Sequence, residues 1–206
     1  MPANLRLISK YYNQGSSFAV LDVGCGKQGA QIIKSFFPSC LYYGIDKEMP
    51  DDTGNLFKKY FQIDLTLLNF DVIPDDHFDL MIMSHVIEHL INGDEVIRRL
   101  IPKLKSKGLI YIEFPSLRST KLPSKKGTLN FFDDPTHCRL YTLDEIYDLL
   151  REKNFKILKG GTRRDIINVL LTPYNMMKSK TKKGFVAGSV FWDLLGFSQF
   201  VLAVKC

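Results

Sequence analysis

The sequence predicts a doubly wound α/β fold, in which a mostly parallel sheet carries helices on both faces. Short apolar runs recur along the chain, and several end in a carboxylate or a small polar residue. Runs of this kind are typical of buried parallel strands. Stretches with apolar residues at helical spacing separate them, and a glycine-rich turn follows the first run. Two further runs near the end of the chain predict a late hairpin.

Composition predicts one domain spanning residues 1–206. The 206 residues are 45% hydrophobic, which is ample for a single core, and no internal repeat divides them. The net charge is +6 and the pI is about 9.0. This modest basic excess tolerates anionic partners but falls short of the extreme that nucleic-acid binding produces. We therefore do not expect a nucleic-acid partner.

Cysteine usage predicts a reducing, cytoplasmic setting. The four cysteines are Cys25, Cys40, Cys138 and Cys206. They show no C-x-x-C spacing, and the chain opens with no secretory leader. We expect reduced thiols rather than a disulfide framework or a zinc site.

One apolar stretch, residues 185–204, is nearly long enough to cross a membrane. Asp193, Gly196 and Gln199 interrupt it. A central aspartate costs about 2.5–3.5 kcal/mol on membrane insertion. A helix followed by a core strand is therefore the better interpretation.

The predicted strands follow from the apolar runs in chain order. The first five are expected at residues 18–23, 41–45, 60–64, 78–84 and 109–114. Residue 108 is a glycine and is expected to break the chain before the fifth strand. The polar stretches 47–59 and 115–138 are predicted as loops, the first with a weak helix.

Helices are predicted between the strands. Residues 1–17 suggest a short helix, and an apolar stripe at residues 32–37 ends at Pro38. Asn92 and Glu95 form a candidate capping pair for a helix that Pro102 kinks or ends early. A second capping box, at residues 142 and 145, opens the next helix.

Residues 155–159 start a sixth strand, and residues 197–205 form a seventh. Between them, the helical insertion at residues 163–195 is longer than a hairpin needs. It offers helical patterns at 166–177 and 186–195, joined by a basic linker at 178–184. The insertion is either a solvated linker between packed helices or a cap over the acceptor pocket. As a cap it would favour an anionic or lipid-linked substrate and peripheral membrane contact.

The turn after the first strand reads G-x-G-x-x-G at residues 24–29. Glycines there allow positive φ and a close approach to a ligand at the next helix N-terminus. Asp46 ends the second strand about 20 residues later, where a carboxylate takes ribose hydroxyls. Both a nicotinamide dinucleotide and S-adenosylmethionine would use these features. Asp22 favours the latter, because it would repel a pyrophosphate and attract a sulfonium and an α-amino group.

The run Leu-Asp-Val-Gly-Cys-Gly at residues 21–26 resembles the first motif of class I S-adenosylmethionine-dependent methyltransferases. The resemblance covers residues 18–160 and 197–205, but not the insertion. It implies a seven-stranded sheet of order 3-2-1-4-5-7-6 with strand seven antiparallel. It also implies S-adenosyl-L-methionine as methyl donor and S-adenosyl-L-homocysteine as product.

The same resemblance implies a donor site at the carboxyl ends of the strands. Asp64 would meet the adenine amine, although it also suits a cap of the following segment. Ser84 and His85 would line the methionine part. The expected donor-binding residues are Asp22, Gly24, Cys25, Gly26, Asp46, Lys47, Asp64, Leu65, Ser84 and His85.

His85, Glu88 and His89 spell H-x-x-E-H, a pattern that elsewhere marks a zinc site on a helix. Here Asn92 and Gly93 end any helix within about a turn, so no metal site is predicted. The segment also resembles the stretch after strand four in many methyltransferases. Glu88 and His89 are expected either to orient that loop or to act directly.

Residues 133–142 resemble a stretch found before the fifth helix in small-molecule methyltransferases. The segment places an imidazole, His137, above the expected methyl position. Alignment supplies much of the rate of an in-line methyl transfer. A hydroxyl acceptor must also lose its proton, which suits a histidine near neutral pH. His137 is therefore the predicted catalytic base, and the alternative is that it pins its own loop.

The sequence thus predicts a methyltransferase acting on a small-molecule or glycan- or lipid-precursor acceptor, at oxygen. One alternative is a non-catalytic, methyltransferase-like binding or scaffold protein. Nucleic-acid or protein methylation is less supported, because the run after strand four lacks the Asn/Asp-Pro-Pro-aromatic motif that clamps a flipped base. A dehydrogenase is a further alternative. No oligomeric state is predicted.

Overall fold

A computed structural model describes residues 2–48 and 55–206. Its strands are β1 (Ala19–Val23), β2 (Leu41–Asp46), β3 (Lys59–Gln62), β4 (Phe78–Ser84), β5 (Leu104–Pro115), β6 (Phe155–Thr162) and β7 (Ser198–Lys205). They form one sheet in the order β3-β2-β1-β4-β5-β7-β6. β1 to β5 pair in parallel, and β7 runs antiparallel to both of its neighbours. The predicted fold and strand order are confirmed.

The helices are α1 (Ala3–Ile8), α2 (Gly29–Phe36), α3 (Gly93–Leu100), α4 (Leu143–Glu152), α5 (Ile166–Leu170), α6 (Thr172–Lys183) and α7 (Trp192–Leu195). Two buried apolar clusters cover the two faces of the sheet. Leu21 of β1 packs in the cluster with α3 and α4, whereas Val20 packs in the cluster with α1 and α2. This alternation follows from the two-residue period of a strand. None of the helices in the described part of the chain has the length and apolar character needed to cross a membrane.

The start of β5 differs from the prediction. The strand begins at Leu104, five positions before the expected start, and runs through Gly108. Phe78 pairs with Leu104 but Leu80 pairs with Leu109, so β5 bulges between these two pairs. Lys107 takes a positive φ of 64° inside the bulge. Gly108 therefore belongs to an irregularity within the strand rather than to a break before it.

One of the two predicted helix caps is wrong. Asn92 precedes α3 but makes no side-chain cap; its amide instead donates to the carbonyl of Thr66 at 3.1 Å. Glu95 accepts from Arg99 at 3.1 Å. A tertiary contact has thus replaced the local one. α3 ends at Leu100, and a 3-10 turn over Ile101–Lys103 holds Pro102, as expected.

The other cap is confirmed. Thr142 Oγ1 accepts from the backbone N–H of Glu145 at 3.2 Å, and Glu145 accepts from the backbone N–H of Thr142 at 2.7 Å. This reciprocal capping box fixes the start of α4, directly after the loop that carries His137.

The insertion differs from its prediction in two respects. The helix predicted at 166–177 is divided at Leu171 between α5 and the start of α6. The basic residues 178–183, expected to form a linker, are the last turns of α6, which ends at Gly184 with φ 75°. No residue from 178 to 183 breaks the helical pattern, and lysines near a helix C-terminus interact favourably with its dipole. A 3-10 turn over Gly188–Phe191 then leads into α7.

The two predicted loops have different outcomes. In the stretch 115–138 the chain is irregular apart from 3-10 turns at Leu117–Lys121 and Phe131–Asp133. The prediction for 47–59 lies partly on residues 49–54, outside the described residues. Of the rest, residues 55–58 form no helix, and Lys59 opens β3.

Candidate active site

The glycine turn after β1 lies at the edge of the sheet where the parallel strands end. Gly24 and Gly26 both have positive φ, 67° and 56°. A Cβ on Gly24 would lie 2.5 Å from Val86 Cγ2, whereas a Cβ on Gly26 would meet no atom of the described residues within 4 Å. Gly24 is therefore required by packing, and Gly26 leaves its backbone open to a ligand.

Asp46 joins the end of β2 to this turn. Its Oδ2 accepts a 2.9 Å hydrogen bond from the backbone N–H of Gly26, and its Oδ1 accepts from the N–H of Lys47 at 2.8 Å. The carboxylate is thus fixed across the gap between two strand ends. Each oxygen keeps lone-pair capacity for a further donor, such as a sugar hydroxyl.

Gly24 lies in the walls of two cavities. One, of about 460 Å³, is lined by Gly24, Asp46, Lys47, Asp64, Leu65 and His85, among others. The other, of about 470 Å³, is lined by Asp22, Gly24, Cys25, Gly26 and Ser84, together with Pro2, Asn4 and Leu5 near the start of the chain. We call them the first and the second cavity. Each of the ten predicted donor-site residues therefore lies on the wall of one cavity or the other.

Asp22 is buried in the wall of the second cavity. It is 7% exposed, and the hydroxyl of Tyr42 donates to its Oδ2 at 2.5 Å. Burial raises the pKa of Asp22 to about 7, although the Tyr42 hydrogen bond works in the opposite direction. A positive charge entering the second cavity would favour the ionised form.

Asp64 has two roles open to it in the structure. Its carboxylate accepts from the backbone N–H and the hydroxyl of Thr66, at 2.9 and 2.6 Å, and so caps the 3-10 turn Leu65–Leu67. These hydrogen bonds lower the pKa of Asp64. The capping interpretation thus describes its present contacts. Because Asp64 also lines the first cavity, its predicted role at the adenine stays open.

His85 follows β4 with a positive φ of 56°. Its Nδ1 lies 3.0 Å from Glu88 Oε1, and its Nε2 lies 3.2 Å from Glu113 Oε1. Burial alone would lower the pKa of His85, but the hydrogen bonds to Glu113 and Glu88 raise it to about 9. The two carboxylates thus favour the imidazolium form of His85, which ties the loop after β4 to β5. Its ring also packs 4.8 Å from that of Trp192 in the insertion.

Glu113 is a residue that sequence reasoning missed. It is buried on β5, and Arg163 Nε lies 2.9 Å from its Oε1 as an ion pair. Arg163 also lies 3.4 Å from Asp193 of α7. Although burial opposes it, the His85 hydrogen bond and the Arg163 charge keep the pKa of Glu113 below its usual range. The sequence signal that could have identified Glu113 was a single carboxylate within the apolar run of β5.

His137, the predicted base, is held in its loop. Its Nδ1 donates to the carbonyl of Phe131 at 2.7 Å, and its ring packs on that of Phe131. The side chain is only 5% exposed and does not line the first cavity, whereas His89 and Thr136 do. The loop-pinning contact expected as the alternative is therefore present. Whether His137 also takes a proton stays a prediction.

The loop after β4 and the His137 loop together form the candidate metal centre. Among residues 2–48 and 55–206, Glu88, His89 and His137 bring one carboxylate oxygen and two ring nitrogens within 4.8 Å of one another. The motif weighed in the sequence placed His85 in such a site. In the structure both nitrogens of His85 are engaged by carboxylates, and His137 comes in from the distant loop.

The family profile described as a methyltransferase domain matches residues 2–159. A ubiquinone biosynthesis O-methyltransferase from Rickettsia bellii is 28% identical over 173 residues, which cover 74% of this chain and 68% of that protein.

Solved structures share the fold. A SAM-dependent methyltransferase from Archaeoglobus fulgidus superposes with a TM-score of 0.60 at 21% identity, over 98% of this chain and 92% of that one. A phosphoethanolamine N-methyltransferase from Haemonchus contortus, in complex with phosphomonomethylethanolamine and S-adenosylhomocysteine, gives 0.68 at 18% identity, over 98% of this chain and 52% of that one.

The profile match, the sheet order and the glycine turn at the end of β1 agree with one another. The chain belongs to the class I S-adenosylmethionine-dependent methyltransferases.

Proposed function

We propose that this methyltransferase transfers a methyl group from S-adenosylmethionine to a hydroxyl of a small acceptor that is lipid-linked or otherwise amphiphilic. The observation that carries the donor assignment is that Gly24 lies in the walls of two cavities, one lined by Asp46 and the other by Asp22. A nucleoside with an amino acid at its far end matches this division of charge and space.

The residues fit the donor in three respects. Gly26 lines the second cavity, and no atom of residues 2–48 or 55–206 would obstruct a Cβ there. Asp46 has lone pairs for the ribose hydroxyls, and Asp22 carries the negative charge that an α-amino group and a sulfonium attract. Bound there, S-adenosylmethionine supplies an electrophilic methyl group on a positively charged sulfur.

Oxygen as the methylated atom is supported by the Rickettsia relative, which is named as an O-methyltransferase. A hydroxyl acceptor must lose a proton. His137 donates from Nδ1 to Phe131, so its Nε2 carries the lone pair that a base needs. His89 lies nearer, on the cavity wall, with its ring 4.8 Å from that of His137.

The insertion supports an amphiphilic acceptor. Along α5 and the start of α6 six large apolar side chains are between 44% and 74% exposed, namely Ile166, Ile167, Leu170, Leu171, Tyr174 and Met177. Four lysines follow within residues 178–183, and no acidic residue occurs from 166 to 192. An apolar face bordered by lysines is typical of a helix that lies on an anionic membrane surface.

The insertion also contacts elements that line both cavities. Arg6 of α1 pairs with Asp165 at 3.0 Å, and α1 begins at the wall of the second cavity. At its other end, Trp192 packs on His85 at the wall of the first. Both ends of the insertion therefore contact elements that line the proposed donor site.

Calorimetric titration with S-adenosylhomocysteine tests the donor assignment. We expect binding of one equivalent by the wild-type protein and much weaker binding by Asp46→Ala. Incubation with methyl-labelled donor and a panel of phenolic and lipid-linked alcohols should then give labelled ether products. The absence of binding would overturn the donor assignment; binding with label found only on nitrogen would overturn the oxygen assignment.

A further inference from the structure

We propose that Glu88, His89 and His137 bind a divalent transition-metal ion of the zinc type at the edge of the first cavity, where it holds the acceptor oxygen. The binding site stands on the geometry of these three residues. The role assigned to the ion rests on the proposed function.

Glu88 provides the first argument. Its side chain is buried at 1% exposure, and its Oε1 is engaged by His85 Nδ1 at 3.0 Å. Its Oε2 has no hydrogen-bond partner among the described residues. A buried carboxylate oxygen without a partner is costly, and such groups are usually paired or coordinate metals. Oε2 is therefore the oxygen available to a cation.

The two imidazoles are oriented as metal ligands usually are. His137 donates from Nδ1 to the Phe131 carbonyl at 2.7 Å. Thr136 Oγ1 lies 2.6 Å from Asp134 Oδ1 and 2.8 Å from His89 Nδ1, so it donates to Asp134 and accepts from His89. Both rings are thereby protonated on Nδ1 and keep a lone pair on Nε2. Such outer hydrogen bonds fix the tautomer of a ligating histidine.

The two segments that carry the ligands are joined without any ion. The backbone N–H groups of Cys138 and Arg139 both donate to the carbonyl of Glu88, at 2.9 and 3.2 Å. One candidate ligand atom from each of the three residues lies within 4.8 Å of the other two. Around a tetrahedral ion with bonds of about 2.0–2.1 Å they would be about 3.3 Å apart, so side-chain rotation has to close the set by about 1.5 Å.

The composition of the set suggests which ion binds. One carboxylate and two imidazoles are the ligands of several catalytic zinc sites, which keep a further position open. His85, the histidine that the H-x-x-E-H pattern would have used, has both ring nitrogens committed to Glu88 and Glu113. The proposed ligand set therefore differs from the one that the pattern alone suggested.

The open position would face the acceptor, because His89 and Thr136 line the first cavity with Gly24. A hydroxyl bound to the ion is more acidic, and its proton passes to solvent. The O–C bond then forms as the C–S bond breaks, and its electron pair stays on sulfur. His137 acts here as a ligand rather than as a base, since both roles use the same Nε2 lone pair.

Cobalt binding tests the site directly. Chelator-treated wild-type protein is titrated with Co²⁺ and followed by visible absorption, then with Zn²⁺ as competitor. We expect one equivalent of Co²⁺ with ligand-field bands that Zn²⁺ abolishes. Glu88→Gln, His89→Gln and His137→Gln should each weaken Co²⁺ binding by at least tenfold. His77→Gln and Cys138→Ser, which alter a distant imidazole and a neighbouring thiol, should leave it unchanged.

Absence of the bands, or equal binding by His137→Gln and His77→Gln, would overturn the site. S-adenosylhomocysteine binding is measured on the same samples, and retention of that binding by the three ligand variants shows that they are folded. Undiminished methyl transfer by the chelated enzyme would overturn the role of the ion and leave the proposed function standing. A wild-type protein that binds Co²⁺ but not the nucleoside would overturn the proposed function, and with it the role of the ion, but would leave the metal site standing.

Discussion

The hydroxyl of Tyr42 donates a 2.5 Å hydrogen bond to the buried carboxylate of Asp22. This contact joins β2 to β1 beneath the glycine turn. It favours the ionised form of Asp22, but burial outweighs it and raises the pKa of Asp22 to about 7. The charge that the proposed donor requires is thus only partly present at neutral pH.

Donor affinity should therefore depend on pH. With a pKa of about 7, Asp22 is mostly protonated at pH 5.5, and the Kd of S-adenosylhomocysteine should be roughly 30-fold higher there than at pH 8. Calorimetric titration at several pH values between 5.5 and 8 measures this change in Kd. Methylthioadenosine, which lacks the amino acid, serves as the matched ligand, and its Kd should not change. An equal pH dependence for both ligands would contradict the role of Asp22.

The same pKa shift has a consequence for stability. The folded pKa of Asp22 lies above the unfolded value of about 3.9, so its ionisation weakens the fold as pH rises from about 4 to 7. Asp22→Asn should therefore bind donor poorly yet be more stable than wild type at pH 8. Urea denaturation compares the two proteins, and a less stable variant at pH 8 would contradict this assignment.

Removal of the Asp46 carboxylate should weaken donor binding without unfolding the protein. Asp46→Ala loses the proposed ribose contacts and the hydrogen bond from Gly26. Hydrogen bonds to a charged group contribute about 1.5–3 kcal/mol each, so we expect the Kd of S-adenosylhomocysteine to rise at least about tenfold. Asp71→Asn, at an exposed position outside both cavities, is the control. Equal affinities for the two variants would count against the ribose assignment.

The sequence predicted what short-range patterns determine. The ends of β1, β2 and β4, the glycine turn and the Thr142–Glu145 cap each depend on a few consecutive residues. The ten predicted donor-site residues line the two cavities, because parallel strands present their carboxyl ends at one edge.

Features that need a distant partner could not be found in this way. Asn92 left its expected cap for the carbonyl of Thr66, and the β5 bulge depends on how β4 pairs with it. His89 meets Thr136 across 47 positions of chain. No local pattern reports such a meeting, so the sequence, which predicted no metal site, gave no sign that His137 lies beside Glu88 and His89.

The apolar face of α5 and α6 should bind anionic vesicles. Lysines near such a surface contribute about 1 kcal/mol each. The double variant Lys182→Gln, Lys183→Gln should therefore bind phosphatidylglycerol vesicles roughly 30-fold more weakly at low salt, as measured by sedimentation. Added salt should weaken vesicle binding by the wild type. Lys58→Gln with Lys59→Gln, on the opposite edge of the sheet, is the matched control. An equal loss of vesicle binding in both double variants would reject a membrane role for the insertion. So would the absence of vesicle binding by the wild type.

Glu113→Gln should destabilise the protein far more than the loss of an exposed acid. The carboxylate is buried between His85 and Arg163, two cationic groups that would be left facing a neutral amide. Removal of one partner from a buried ion pair typically costs about 3–5 kcal/mol. Asp148→Asn, which breaks the exposed pair with Arg151, should change the free energy of unfolding by less than about 0.5 kcal/mol. Because Arg163 also contacts Asp193 of α7, Glu113→Gln should in addition increase the rate of hydrogen exchange at residues 188–195, the end of the insertion. Urea denaturation measures the change in the free energy of unfolding. Equal stability of both variants would mean that this network does not hold the insertion against the sheet.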